Sequence, residues 1–151
     1  MQVNYTTELV TAVAGMVGHQ EEGQVFSSRQ VSGAVIPPGR AVKRGATAGL
    51  IASVSAQADV FLGVVVIDHS ARGTGSSNPN TEFAVGEDAP VLLKGDVWVV
   101  ADAAIAVGAL AYFSQSTNRF TSVVGTNCPI ANGRFETAAA APGDLVLLRL
   151  S

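Results

Sequence analysis

The sequence predicts an all-β fold, a small antiparallel barrel or sandwich carrying an extended N-terminal arm. Apolar runs of strand length recur along the 151 residues. Glycine, proline and asparagine signals separate those runs, and no segment sustains the 3.6-residue apolar period of a long helix. Strands this short and this numerous, about nine by the pattern, close into a barrel or stack as a sandwich.

Residues 1–23 lack strand alternation and form the predicted arm, with a β-rich body over 24–151. The run 7–14 has the composition for one or two helical turns, which Gly15 and Gly18 would end because glycine is costly inside a helix. Two readings of the arm stand: a partly ordered terminus, or a segment that orders on a neighbouring subunit. Residues 24–32 read as a strand, Val25, Ser27, Arg29 and Val31 opposing Phe26, Ser28 and Gln30. In 33–45 the Pro37-Pro38 pair forbids regular pairing, since proline lacks an amide donor, and Gly39 allows a tight turn. Arg40, Lys43 and Arg44 there are three of only nine basic residues. They read as a solvated loop, or as contacts to carboxylates and carbonyls of a partner. A phosphate cradle is a poor match, because Arg44–Gly49 lacks the Gly-Lys-Ser/Thr ending.

Residues 48–54 and 60–68 (VFLGVVVID) are the next strands. The second is apolar without interruption and calls for burial on both faces, with Gly63 marking a bulge or a close backbone approach. Residues 70–80 are a Gly/Ser/Asn-rich surface loop, and 81–88 an acidic turn around Phe83 and Val85. The stretch 90–124 organises the rest. It alternates Val-, Leu- and aromatic-rich runs with turn signals at Lys94-Gly95-Asp96, Val107-Gly108 and Ser116-Thr117-Asn118. Within 96–102, Val97, Val99 and Ala101 share one face while Asp96, Trp98, Val100 and Asp102 share the other. Such a strand wants cover on both sides, and a second subunit is one source of it. Residues 125–133 read as a loop holding Cys128 and Pro129; 134–139 and 144–150 are the closing strands, separated by Ala141-Pro142-Gly143.

Composition narrows the function. Charged residues are 14% of the chain, against about 25% in an ordinary soluble domain. Hydrophobic residues are 48%, so much of the surface is expected to be hidden in an assembly. A net charge of −3 argues against nucleic acid as a partner. No run reaches the roughly 20 apolar residues of a membrane span, and the N-terminus lacks the pattern of a secretory signal, so a soluble protein made inside the cell is expected. Cys128 is the only cysteine, which precludes an intrachain disulfide. Asp68-His69-Ser70 holds the residue types of a hydrolytic triad, but neighbours on a strand point to opposite faces. His69 reads as a solvated strand end and His19 as structural or exposed.

Several segments, in order, resemble a known family. They are Ala14-Gly15-Met16-Val17, then Ile36 through Gly45, then Phe61-Leu62-Gly63-Val64-Val65-Val66. After these come Val85 through Val91, Lys94-Gly95-Asp96-Val97-Trp98-Val99 as a hairpin, Val107-Gly108, and Pro142-Gly143-Asp144-Leu145-Val146-Leu147. Together they resemble the structural cement, or head decoration, proteins of tailed phages, from about Tyr5 onward. The resemblance implies no enzyme activity, no metal and no cofactor. It implies a protein on the capsid exterior of the virion, assembled in the host cytoplasm, that clamps neighbouring subunits of the major capsid protein. It implies a homo-oligomer too, a trimer ahead of a dimer. From position and composition, the contacts to look for first are Tyr5, Met16, Arg40, Lys43 and Arg44, with Trp98 either core or an interface anchor. Truncating 1–23 is expected to weaken shell binding and leave the fold intact.

Two other classes compete. The rhythm of 90–124 is also similar to barrel-sandwich carriers of biotin or lipoate, although Lys94 lacks the flanking residues of a modified lysine. A small hydrolase would have to use Glu87, Asp88, Asp68 or His69, and it would need a cleft.

Overall fold

The computed structural model describes residues 12–18, 24–67 and 82–151, and the loop 70–80, Asp68, His69 and His19 lie outside them. Nine strands occur among the described residues: β1 (Val25–Val31), β2 (Ala41–Arg44), β3 (Leu50–Ser53), β4 (Phe61–Val65), β5 (Asp88–Val100), β6 (Leu110–Ser114), β7 (Arg119–Thr121), β8 (Cys128–Phe135) and β9 (Leu145–Leu150). None of the described residues is helical. The order β1-β3-β2-β4-β5 returns on itself through β1–β5 pairing, which closes a five-stranded barrel. The order then continues β5-β9-β8-β6-β7, and a bridge from Phe120 to Ala101 brings β7 back to the end of β5. The all-β barrel expected from the pattern is what forms.

The 13-residue β5 belongs to both halves. Its first part pairs with β1 and β4, and Gly95 to Val100 pair with β9. Lys94-Gly95-Asp96 is therefore not the hairpin turn its composition suggested. Gly95 adopts φ 129, a conformation open to glycine, and marks the handover from one pairing set to the next within one strand. Lys94 consequently sits in mid-strand, opposite Val25, and not at the tip of a hairpin where a carrier presents its lysine.

Side-chain alternation explains why so apolar a chain has two cores. Val42, Val65 and Val91 fill the closed barrel with Val31, Ile36, Ile51, Phe83 and Ala89. Their immediate neighbours Ala41, Val64 and Leu92 point the other way, into a larger core with Val97, Val99, Phe113, Phe120, Phe135 and Leu148. The doubly apolar strands are thus covered on both faces, and the second sheet of the same chain supplies the cover. Each fully buried valine or leucine contributes about 1.5–3 kcal/mol relative to exposure. Gly63 is buried where β4 meets β5: an added Cβ would lie 2.4 Å from the Leu92 carbonyl oxygen. The β2–β4 register also shifts opposite it, between Val42 and Lys43, so bulge and close approach coincide.

Three local expectations are corrected. Residues 41–44 form β2, paired on both sides, so the basic residues Lys43 and Arg44 are on a strand and not in a solvated loop. The double proline ends its effect at Gly39. Residues 125–133 are not all loop, because β8 starts at Cys128; Pro129 and Asn132 (φ 58) are accommodated by a large register shift against β6. Residues 136–139 are left with one bridge, Ile105 to Ala139, in place of a strand. Trp98 is half-buried on the outer face of β5, whereas Val97 and Val99 beside it are fully buried.

Candidate interaction surface

The sequence-derived contact residues fall into two places, and Tyr5 lies outside the described residues. The first place is where residues 12–18 cross β5. Gly15 N donates to the Trp98 carbonyl at 2.8 Å, Trp98 N to the Met16 carbonyl at 2.8 Å, and Gly18 N to the Asp96 carbonyl at 2.9 Å. Ile67 N in turn donates to the Gly15 carbonyl at 3.0 Å. Gly15 and Gly39 both adopt φ 85 and press together: a Cβ on Gly15 would lie 2.6 Å from the Pro38 Cβ and 2.8 Å from Gly39 N. The main chains of Met16 and Trp98, both half-buried residues, are joined in this way. Arg40 follows the clasp directly. Burial pulls its guanidinium below the ordinary value and Glu82 pulls it back up, which marks a partly covered cation beside an acid.

The second place is a surface recess of about 500 Å³ along β2 and the start of β4, lined in part by Lys43, Arg44, Asp59, Val60, Phe61 and Leu62. Lys43 is committed there. Its Nζ lies 2.8 Å from Asp59 Oδ2 and donates to Ser55 Oγ at 3.0 Å. The same carboxylate accepts from the amides of Ser55 and Ala56, both at 2.8 Å, closing the turn 55–59. Arg44 is exposed. Asp59 and Val60, which shape this recess, were missed in the sequence. Ser55 four residues before Asp59 was the available signal for a side-chain-capped turn.

The hydrogen bond from Lys43, with those from the two amides and despite some burial, holds the Asp59 carboxyl down at about 2 from its ordinary 3.8. A depressed carboxyl contributes stability above its unfolded value and loses it as pH falls through the folded one. The urea midpoint of the native protein is therefore expected to fall between pH 4 and pH 2 by more than that of Asp59→Asn. Equal slopes for the two proteins across that window would show that the pair adds nothing.

Little on the described surface suggests a reaction. Cys128 is buried, its thiol donates to the Asp59 carbonyl at 3.2 Å, and burial pushes its pKa up, away from the reactive thiolate. No group of three or more His, Cys, Asp or Glu side chains with metal-binding geometry occurs among the described residues. Glu87 and Asp88 are exposed, at the turn into β5.

A closed five-stranded barrel extended by four further strands, with no metal-binding cluster among the described residues, carries these surfaces. Comparison with known proteins identifies the family. The structural cement protein family, described through E217 gp24 and Pam3 gp6, matches residues 1–151, and the chain belongs to it. This is a phage structural family without enzymatic function. A chain from the capsid of Myoviridae phage XM1 has a similar fold, with a TM-score of 0.68 at 19% identity, over 99% of this chain and 98% of that one. The N base of the head fibre gp8.5 of bacteriophage phi29 aligns at a TM-score of 0.47 and 16% identity, over 85% of this chain and 94% of that one. No curated protein matches in sequence.

Proposed function

We propose that the protein binds the outer surface of the icosahedral phage shell and holds neighbouring subunits of the major capsid protein together. The observation that carries this reading is the family match over the full 151 residues. The physics is that of linkage: a ligand that prefers the assembled shell to free subunits stabilises the shell by mass action. Many symmetric copies multiply the effect through avidity. One strand, β5, runs through the barrel and the second sheet and so joins the two in a single body. In this reading the protein is a homo-oligomer, a trimer or else a dimer, reaches the capsid exterior from the host cytoplasm, and takes neither nucleic acid nor membrane as partner. Residues 1–23 act as an arm on the body 24–151, and Tyr5, Met16, Arg40, Lys43, Arg44 and Trp98 lie on or beside contact surfaces.

The main-chain bonds of residues 15–18 to β5 move the informative cut in the arm. Deleting 1–23 would remove part of the fold, so the test of the arm is deletion of 1–11. Full-length protein is expected to co-sediment with expanded, undecorated shells and to raise their melting temperature. The 1–11 deletion is expected to bind more weakly while keeping its β-type circular dichroism. Failure of the full-length protein to bind such shells rejects the reading, and unchanged binding by the deletion rejects the arm. Light-scattering mass of the free protein reads the oligomer.

A further inference from the structure

Val60 is the most exposed large apolar side chain among the described residues, at 82%. It is not on a slack loop: it directly follows the turn that Asp59 closes with two amide bonds and the Lys43 ion pair. That turn is stitched to the loop after β7. Gln57 Nε2 donates to the Gly125 carbonyl at 3.1 Å, and the Cys128 thiol donates to the Asp59 carbonyl. The loop so joined displays Val123 and Val124, exposed at 55% and 59%. Two separate loops are thereby held so that they present valines to solvent beside Arg44 and the half-buried Phe61 of the recess.

Charge states which partner fits. The recess holds two cations and one carboxylate, and the loop 122–127 adds no acid. Lys43 consumes that carboxylate, so among the described residues Arg44 has no acidic partner. A partner that fits therefore brings a free carboxylate to Arg44 together with apolar side chains for the valines. We infer that Arg44, Val60, Phe61, Val123 and Val124 form one docking surface for a segment of the major capsid protein that carries apolar side chains beside a free carboxylate. The inference rests on the shell-binding reading above and names where, and with what chemistry, that binding occurs. Apolar burial supplies the affinity and the Arg44 pair supplies register, as at protein interfaces generally.

The test compares native protein, the double variant Arg44→Glu/Val60→Asp, and Val107→Asp, which alters a valine of comparable exposure (66%) elsewhere. All three substituted side chains are exposed, so the urea midpoints should agree. Co-sedimentation with expanded, undecorated shells is expected to show about a tenfold or greater loss of affinity for the double variant. Val107→Asp is expected to bind as the native protein does. If the native protein binds and the double variant binds equally well, the surface is not the docking site, while shell binding itself stands. If the native protein does not bind, both fall together. A drop in the light-scattering mass of the double variant in free solution would make the surface an interface between copies and overturn the inference.

Discussion

Replacing Phe120 by alanine is expected to destabilise the protein by about 3–5 kcal/mol, read as a lowered urea midpoint. Phe120 is fully buried and packs edge-on against Phe113, with ring centroids 5.1 Å apart at 67°. Its strand, β7, is only three residues long, yet it brings the second sheet back to β5: Asp102 N donates to the Phe120 carbonyl at 2.7 Å. The side chain therefore anchors the point where that sheet returns. Phe120→Leu, which leaves a smaller void, should cost less than about 1.5 kcal/mol. A double-mutant cycle with Phe113→Ala should return a coupling of about 0.5–1.5 kcal/mol. A loss below about 1 kcal/mol for Phe120→Ala would mean that the site collapses without penalty and that the aromatic pair is not central to the larger core.

Arg149→Met is expected to cost about 1–3 kcal/mol, and more than Asp96→Asn. The two groups are an asymmetric pair. Arg149 donates through Nε and Nη2 to the two carboxylate oxygens of Asp96, at 2.9 and 3.1 Å. The Asp96 side chain is 4% exposed and that of Arg149 42%. Without Asp96 the guanidinium turns to water or to Glu136, 3.7 Å away. Without Arg149 a carboxylate is left in the wall of the protein with its bidentate partner gone, and desolvation of that charge is what the midpoint would report. The pair also lies under the N-terminal segment, since the Asp96 carbonyl accepts from Gly18 N. Urea melts of the two variants at neutral pH decide it: equal or reversed losses would show that burial of Asp96 is not what makes the pair matter.

How much was legible in advance follows from which forces act locally. Val64-Val65-Val66 and the alternation of Val97, Val99 and Ala101 announced strands buried on one or both faces, and all six side chains are buried. Ser116-Thr117-Asn118 announced a turn, and Asn118 takes φ 57 there. Gly95 carried the same kind of signal and meant something else, because a glycine states only that the backbone needs freedom and not whether the chain reverses. Pro129 and Asn132-Gly133 likewise suggested a loop, where β8 accommodates them by shifting register. The basic residues Lys43 and Arg44 could be found by scarcity alone. Their difference, one locked to Asp59 and one open, depends on a carboxylate 16 residues away in sequence.

By itself, the sequence determined the fold class and the kind of work: period-two apolar patterning, few charges and an ordered series of cement-protein motifs, all properties of residues and their near neighbours. Tertiary structure alone decided that one strand serves both the barrel and the second sheet, that Gly15 and Gly39 meet, and that Val60 stands beside the loop of Val123 and Val124. Those are pairings between distant segments. Their energies come from closing surfaces against one another, and one residue's chemistry does not name the segment that will close over it.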